Sequence, residues 1–454
     1  MKRSTQFLFI TTAALLFAAA PLMAAGTSSD DDALFGEDTI DDQTTATPLD
    51  SSNTTSGSSS AASTTSAGSA SDLSHGIIFQ TGAVKVGGTF TLSASTMTTL
   101  YDKNTADGTT TFKDNVYNTT LSPTAKGEIT IDARPKQTLR MYTKFGMKYP
   151  YNANCFYVKE LFSDFSIKDR VFFRFGLHTV SWGTGYFFSP VSDMINTSTI
   201  DVEDPTAQVN GSLNLRTQIT FPGTQNCLWL YAIPDVTYTP LTGTTVGNAR
   251  DTSFAVKGEM LFGGWELGAG AFYKYESAPK AMLTASGSII FGKVSVFAEG
   301  VYSYGSKAEW KKSTDWDGKT NIFQATVGAS YYWKIPQITF AAQYYYDGND
   351  DDDASTTKGN NVAATISFAK VGTTDLTASV FGIVYLNHDE TATITYNGFP
   401  YTYNTTAAII SASLSYSPVS ELTLSAGPYI TFATLDSTPT TSLKFTATLG
   451  GGKF

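Results

Sequence analysis

The chain has 454 residues, 41% hydrophobic and 15% charged, with a formal net charge of −10. No basic stripe with interleaved aromatic residues occurs, which excludes a nucleic-acid partner. The three histidines, His75, His178 and His388, lie far apart and none has a partner at metal-ligand spacing, so no metal or other cofactor is expected.

The first 25 residues read as a secretory signal peptide. Lys2 and Arg3 precede an apolar run from Phe7 to Ala20, and PLMAA supplies small residues for cleavage near Ala24 or Ala25. The run is too short for a membrane-spanning helix, although a retained helical anchor stays open as the alternative. Residues 26–75 are a different polymer, with nine acidic residues, no Lys or Arg, and long Ser/Thr/Gly/Ala tracts. Such a leader cannot bury enough apolar surface to offset its chain entropy, so we expect it to be disordered. Leader and signal account for −9 and +2, which leaves −3 for residues 76–454. The remainder of the chain is therefore close to neutral.

From Gly82 onward nearly every segment alternates apolar and polar residues with period two. Leu139, Met141, Phe145 and Met147 interleave with Arg140, Lys144 and Lys148. Val171, Phe173, Phe175 and Leu177 interleave with Arg174 and His178, and Trp265 to Glu276 and Leu422 to Phe432 repeat the pattern. One apolar face at period two is a half-buried strand. Short connections such as RPKQ, FGGW, FGK and WKIP mostly alternate with longer ones near 95–123, 181–212, 232–250, 305–320, 347–360 and 388–404.

Tight turns at one end and long loops at the other are the habit of outer-membrane barrels. Counting from Val84 gives about 18 antiparallel strands of roughly ten residues, the length a tilted strand needs to cross a bilayer. A count of 16 stays open, and so does a soluble β-sandwich array. Tyrosines near the long loops, and Trp265 and Trp333 beside short turns, fit two interfacial girdles. The C-terminal Phe454 resembles the terminal signature of bacterial barrels, but it has opposite parity to Leu443, Phe445, Ala447 and Leu449. A bulge at the preceding glycines would restore the phase. The fold expected is all-β: a transmembrane barrel over 76–454 behind the leader of 26–75.

With apolar positions facing lipid, the alternate positions line a polar lumen. Early strands place Arg140, Lys144, Lys148, Arg174 and Arg216 there as a basic wall, with Glu128 and Asp132 as acidic exceptions; later strands contribute Lys257, Glu259, Glu266, Lys274, Glu276 and Glu299, then mostly Ser, Thr, Ala and Tyr. Inward Trp229, Tyr231, Phe272, Tyr345 and Tyr429 would serve as stacking platforms if the barrel carried sugars. The segment SWGTGYFFSPVSDMIN, residues 181–196, is too apolar for a solvated loop and too rich in Gly and Pro for a strand. Folding it inward would bury its rings and narrow the pore. Trp182, Asp193, Asp201, Glu203 and Asp204 are then the candidate constriction residues, with the carboxylates facing the basic wall. A lid over the mouth is the competing placement. Cys155 and Cys227 would sit at opposite ends of the barrel, beyond bridging distance.

Gly176, Val180, Trp182, Gly183, Gly185, Pro190, Asp193 and Asn196 form a stretch, G…V-x-W-G-x-G…P-x-D-x-x-N, that resembles porin-like outer-membrane proteins of diderm bacteria. The resemblance covers about twenty residues. It implies a channel of the bacterial outer membrane that passes small hydrophilic solutes, and names no particular solute. Implied partners are outer-membrane lipid, the solutes, and the periplasmic chaperones and barrel-assembly machinery that insert such chains; a homo-oligomer is compatible. Alternatives are a substrate-specific transporter for sugars or hydrophobic compounds and a surface adhesin. No enzyme activity is expected, because His178 near Asp193 imitates only part of a hydrolytic site.

Overall fold

The structure is a computed structural model and describes residues 79–81, 84–101, 119–136, 138–150, 155–168, 170–205, 207–239, 243–246, 249–275, 277–304, 322–348, 359–372, 374–386, 391–396, 399–404, 406–435 and 439–450. The expected signal peptide, the acidic leader and Phe454 lie outside the described residues.

The described chain is strands and turns, with one α-helical turn at Pro190–Asp193 and one 3-10 turn at Ala249–Asp251. β1 (Phe79–Thr81) is a short lead-in that pairs with the start of β2 (Val84–Tyr101). Then follow β3 (Thr120–Lys136), β4 (Leu139–Tyr149), β5 (Phe156–Ile167), β6 (Val171–His178), β7 (Ser212–Thr220) and β8 (Cys227–Ile233). A small hairpin, β9 (Val236–Thr239) with β10 (Gly243–Val246), interrupts before β11 (Ser253–Phe262). The wall continues through β12 (Trp265–Tyr273), β13 (Lys280–Ile289), β14 (Val294–Ser303), β15 (Ile322–Trp333), β16 (Ile338–Asp347), β17 (Gly359–Phe368) and β18 (Leu376–Tyr385). A second hairpin, β19 (Thr391–Tyr396) with β20 (Phe399–Asn404), precedes β21 (Ala408–Val419), β22 (Leu422–Phe432) and β23 (Thr440–Leu449).

Every wall strand pairs antiparallel with its neighbours. The ladder closes where β2 pairs with both β3 and β23, with Leu92 opposite Leu449. Leaving out β1 and the two hairpins, 18 strands form a closed barrel, the higher of the two expected counts. Closure pairs the edges that an open sheet would expose, and it satisfies the backbone without water. The two hairpins fall inside the 232–250 and 388–404 connections, so these expected loops are strand-bearing excursions at the long-loop end.

Side-chain parity follows the alternation. Outward positions are large, apolar and exposed, as at Met141, Phe175, Phe254, Leu283, Val327 and Phe445. A wall of this kind belongs against hydrocarbon, not water. Tyr149, Tyr273, Tyr302, Tyr304, Tyr344 and Tyr346 are exposed at the long-loop end, and Trp333 at the tight-turn end. Tyr345 departs from this belt. It points inward and is buried, because it sits one residue out of phase with Tyr344 and Tyr346.

β5 keeps its phase through an irregularity. Lys144 pairs with Glu160 and Phe145 with Val158, so Lys159 is the extra residue of a bulge. The bulge lets Tyr157 and Glu160 both lie on the inner side. The core therefore sits inside the barrel, between its wall and the connection after β6.

Candidate functional site

The connection from Thr179 to Gly211 runs inside the barrel. Its buried side chains form two clusters against the inner wall. Val180, Trp182, Val191 and Ile195 pack with Tyr231, Ala255, Phe272, Met282 and Val301 of β8, β11, β12, β13 and β14. Phe187 and Phe188 pack with Ala341, Tyr345, Ala363, Phe381 and Ile383 of β16, β17 and β18. Trp182 meets Tyr231 edge-on with centroids 4.8 Å apart, and Phe188 stacks on Tyr345 at 5.0 Å. Each such buried ring contributes about 1.5–3 kcal/mol by area alone.

Two polar side chains of the wall hold the loop backbone. The Glu299 carboxylate on β14 accepts from the backbone N–H groups of Thr184, Gly185 and Val191 and from the Ser189 hydroxyl. Gln343 on β16 accepts from the N–H groups of Tyr186 and Phe187, the latter at 2.6 Å, and its amide nitrogen donates to the Phe188 carbonyl and to Thr326. The glycines of SWGTGYFF are required by this wrap. A Cβ at Gly183 would stand 1.7 Å from Ser189 Oγ, and one at Gly185 would stand 1.9 Å from the Phe188 carbonyl oxygen. Ser189 also caps the single helical turn Pro190–Asp193 by accepting from Ser192 N. Lys257 on β11, fully buried, donates to the Trp182 carbonyl at 2.7 Å and pairs with Glu259 at 2.8 Å.

The second half of the loop crosses towards the other wall. Tyr429 on β22 donates to Glu203 at 2.9 Å, and Lys144 on β4 donates to Gln208 at 3.1 Å. Asp201, Glu203 and Asp204 stay exposed within the barrel. Asp193 also faces lumen water, yet the enclosing wall and the nearby Glu299 and Asp347 carboxylates push its own carboxyl up, to about 7.

The early-strand wall is a ladder of shared carboxylates. Glu128 lies between Lys126 and Lys144, at 2.9 and 3.4 Å. Asp132 lies between Arg134 and Arg140, at 3.5 and 3.0 Å. Asp164 lies between Arg140 and Arg174, at 3.7 and 2.7 Å. Arg174 also covers the Phe162 ring at 4.0 Å, and Arg216 covers Trp229 at 5.2 Å. Cations outnumber carboxylates on this side, and Lys148 is exposed.

The candidate residues therefore divide. Asp193, Asp201, Glu203 and Asp204 do lie on an inward loop, and the basic residues line the inner wall of the early strands. Trp182 does not border the opening: it is buried against Tyr231 and anchors the loop. The candidate stacking residues divide likewise, and Trp229 and Tyr429 are only partly buried. Tyr231, Phe272 and Tyr345 lie under the loop, packed against its buried side chains. Glu299 was expected in the lumen, but its hold on the loop, like that of Gln343, was missed because each is an isolated polar residue more than a hundred positions from the segment it holds. A signal existed: inward Ala255, Met282, Phe297, Val301 and Ile383 are apolar, which in a lumen calls for something packed over them. His178 is buried in the wall, with Nδ1 against the Gly176 carbonyl. Both cysteines are free, and Cys227 donates to Glu259 at 3.2 Å.

No family model and no curated protein matches the sequence. Among solved structures, the chain is similar to OccAB3 of Acinetobacter baumannii, with 10% identity and a TM-score of 0.46 over 81% of this chain and 99% of that one. It is similar to OccK11 (OpdR) of Pseudomonas aeruginosa, with 8% identity and a TM-score of 0.47 over 81% and 96%. It is likewise similar to a triple mutant of the Rhodopseudomonas blastica porin, with 11% identity and a TM-score of 0.41 over 81% and 100%.

Proposed function

We propose that the protein is a channel of the bacterial outer membrane for passive diffusion of small hydrophilic solutes, with the connection 181–212 as its constriction. The observation that carries this reading is a closed 18-strand wall, apolar outside, with an inward loop latched to one half of the lumen. A barrel of this strand number leaves an aqueous channel unless something fills it. Here the loop packs on the inner face of β8, β11–β14 and β16–β18, its acidic edge is exposed, and the basic ladder lines the inner face of the early strands. A solute crossing there meets carboxylates on one side and guanidinium and ammonium groups on the other, a transverse field that favours small dipolar or charged solutes over apolar ones.

The role asks for no bond-making chemistry, so we read the protein as a pore and not as an enzyme. Planar-bilayer recording of the refolded protein tests the reading. Discrete conductance steps without saturation by a solute support passive diffusion; saturable block would favour a substrate-specific transporter, and absence of steps an adhesin.

A further inference from the structure

The tight-turn rim of the barrel carries a feature that the pore does not use. Large apolar side chains sit at its apices: Phe221, Phe262, Ile290, Phe291, Ile335 and Val419 are all exposed, Phe291 completely. Several continue the lipid-facing rows of their strands, as Phe262 continues Phe254, Val256 and Met260. The turn between β13 and β14 holds its two apolar residues at a conformational cost. Ile290 and Phe291 have φ of 53° and 57°, a left-handed backbone that costs a β-branched or bulky residue about 1–2 kcal/mol. Asn or Gly would occupy such positions without strain. The side chains are thus kept for what they touch.

The same turns are basic. Lys136, Lys168, Arg170, Lys293, Lys334 and Lys370 are exposed there, against exposed Asp375 and Glu421, and Asp169 stands between Lys168 and Arg170 in the sequence. Apolar tips interleaved with cations, directly below an apolar wall, match the chemistry of an anionic lipid surface: acyl chain against the rings, phosphate against the ammonium groups.

We propose that the tight-turn rim is an anionic-phospholipid collar, with its turns seated in the headgroup layer of the adjoining leaflet. This rests on the membrane-channel reading above. The test is native mass spectrometry of the full chain after reconstitution into vesicles of equal phosphatidylglycerol and phosphatidylcholine, beside conductance from the same preparation. The expected result is phosphatidylglycerol retained over phosphatidylcholine by at least about fivefold, the factor one surface lysine supplies. In K293Q/K334Q/K370Q the ratio should fall towards parity with conductance steps intact, and F291S/I335S should retain fewer lipids of both kinds. Equal retention by the native protein, with normal conductance, overturns the collar and leaves the channel standing. Failure to insert or conduct in any vesicle overturns both.

Discussion

Glu299 is the residue on which the inward loop depends most. Replacing it by alanine removes an acceptor from three backbone N–H groups and one hydroxyl, half-buried at Thr184 and Gly185 and buried at Ser189 and Val191. A hydrogen bond to a charged group contributes about 1.5–3 kcal/mol, but four donors on one carboxylate do not add, and lumen water replaces part of what is lost. A cost of roughly 3–5 kcal/mol to the docked loop follows, a shift of about a hundredfold to several thousandfold towards the undocked state. The apolar anchors Trp182, Phe187 and Phe188 remain, so the loop should fluctuate rather than leave. In single-channel recordings E299A should show a higher mean conductance and larger open-channel noise than the native protein. E299Q should fall between them, because its amide keeps one acceptor but turns an NH2 towards donors. Q343E should loosen the loop for the opposite reason, losing the donor to the Phe188 carbonyl. Native conductance and noise in a folded E299A barrel would refute the latch.

Other expectations are simpler. D201N/E203Q/D204N should move ion preference towards anions, read as a reversal potential in a salt gradient at low ionic strength, since exposed charges are screened within about 8 Å in physiological salt. Asp193 has a raised carboxyl pKa in the docked loop, so docking is firmest below the ordinary carboxylate range and weakens as pH rises towards about 7. Open-channel noise should therefore grow between about pH 4 and about pH 7, and D193N should flatten that dependence. G185V should undock the loop without changing heat-modifiable migration on gels, because the clash falls on the loop backbone and not on the wall. Both cysteines should label with a thiol reagent after denaturation without reductant.

The barrel was legible because its physics is local. A strand between lipid and water must alternate, and Leu139–Met147 or Trp265–Tyr275 state that alternation residue by residue. The inward course of SWGTGYFFSP was legible from composition, since four rings beside two glycines belong neither in water nor in a ladder. What holds it was not. Glu299 and Gln343 gain their meaning only when closure brings β14 and β16 beside residues 184–188. The fate of Tyr231 and Tyr345 was hidden likewise: an inward aromatic reads the same whether it faces a solute or supports a loop. The hairpins in 232–250 and 388–404 were read as loops because short polar strands such as GTTV carry no apolar face to reveal them.

The central claim is that this barrel conducts and that its own loop sets the aperture. Single-channel conductance of the refolded protein, compared with a form lacking Gly183–Asp204, tests it most directly. The account predicts discrete steps from the native protein and larger ones from the deletion, because the volume occupied by Phe187, Phe188 and the helical turn returns to water. Steps of equal size from both forms, in barrels that are equally heat-modifiable, would contradict it.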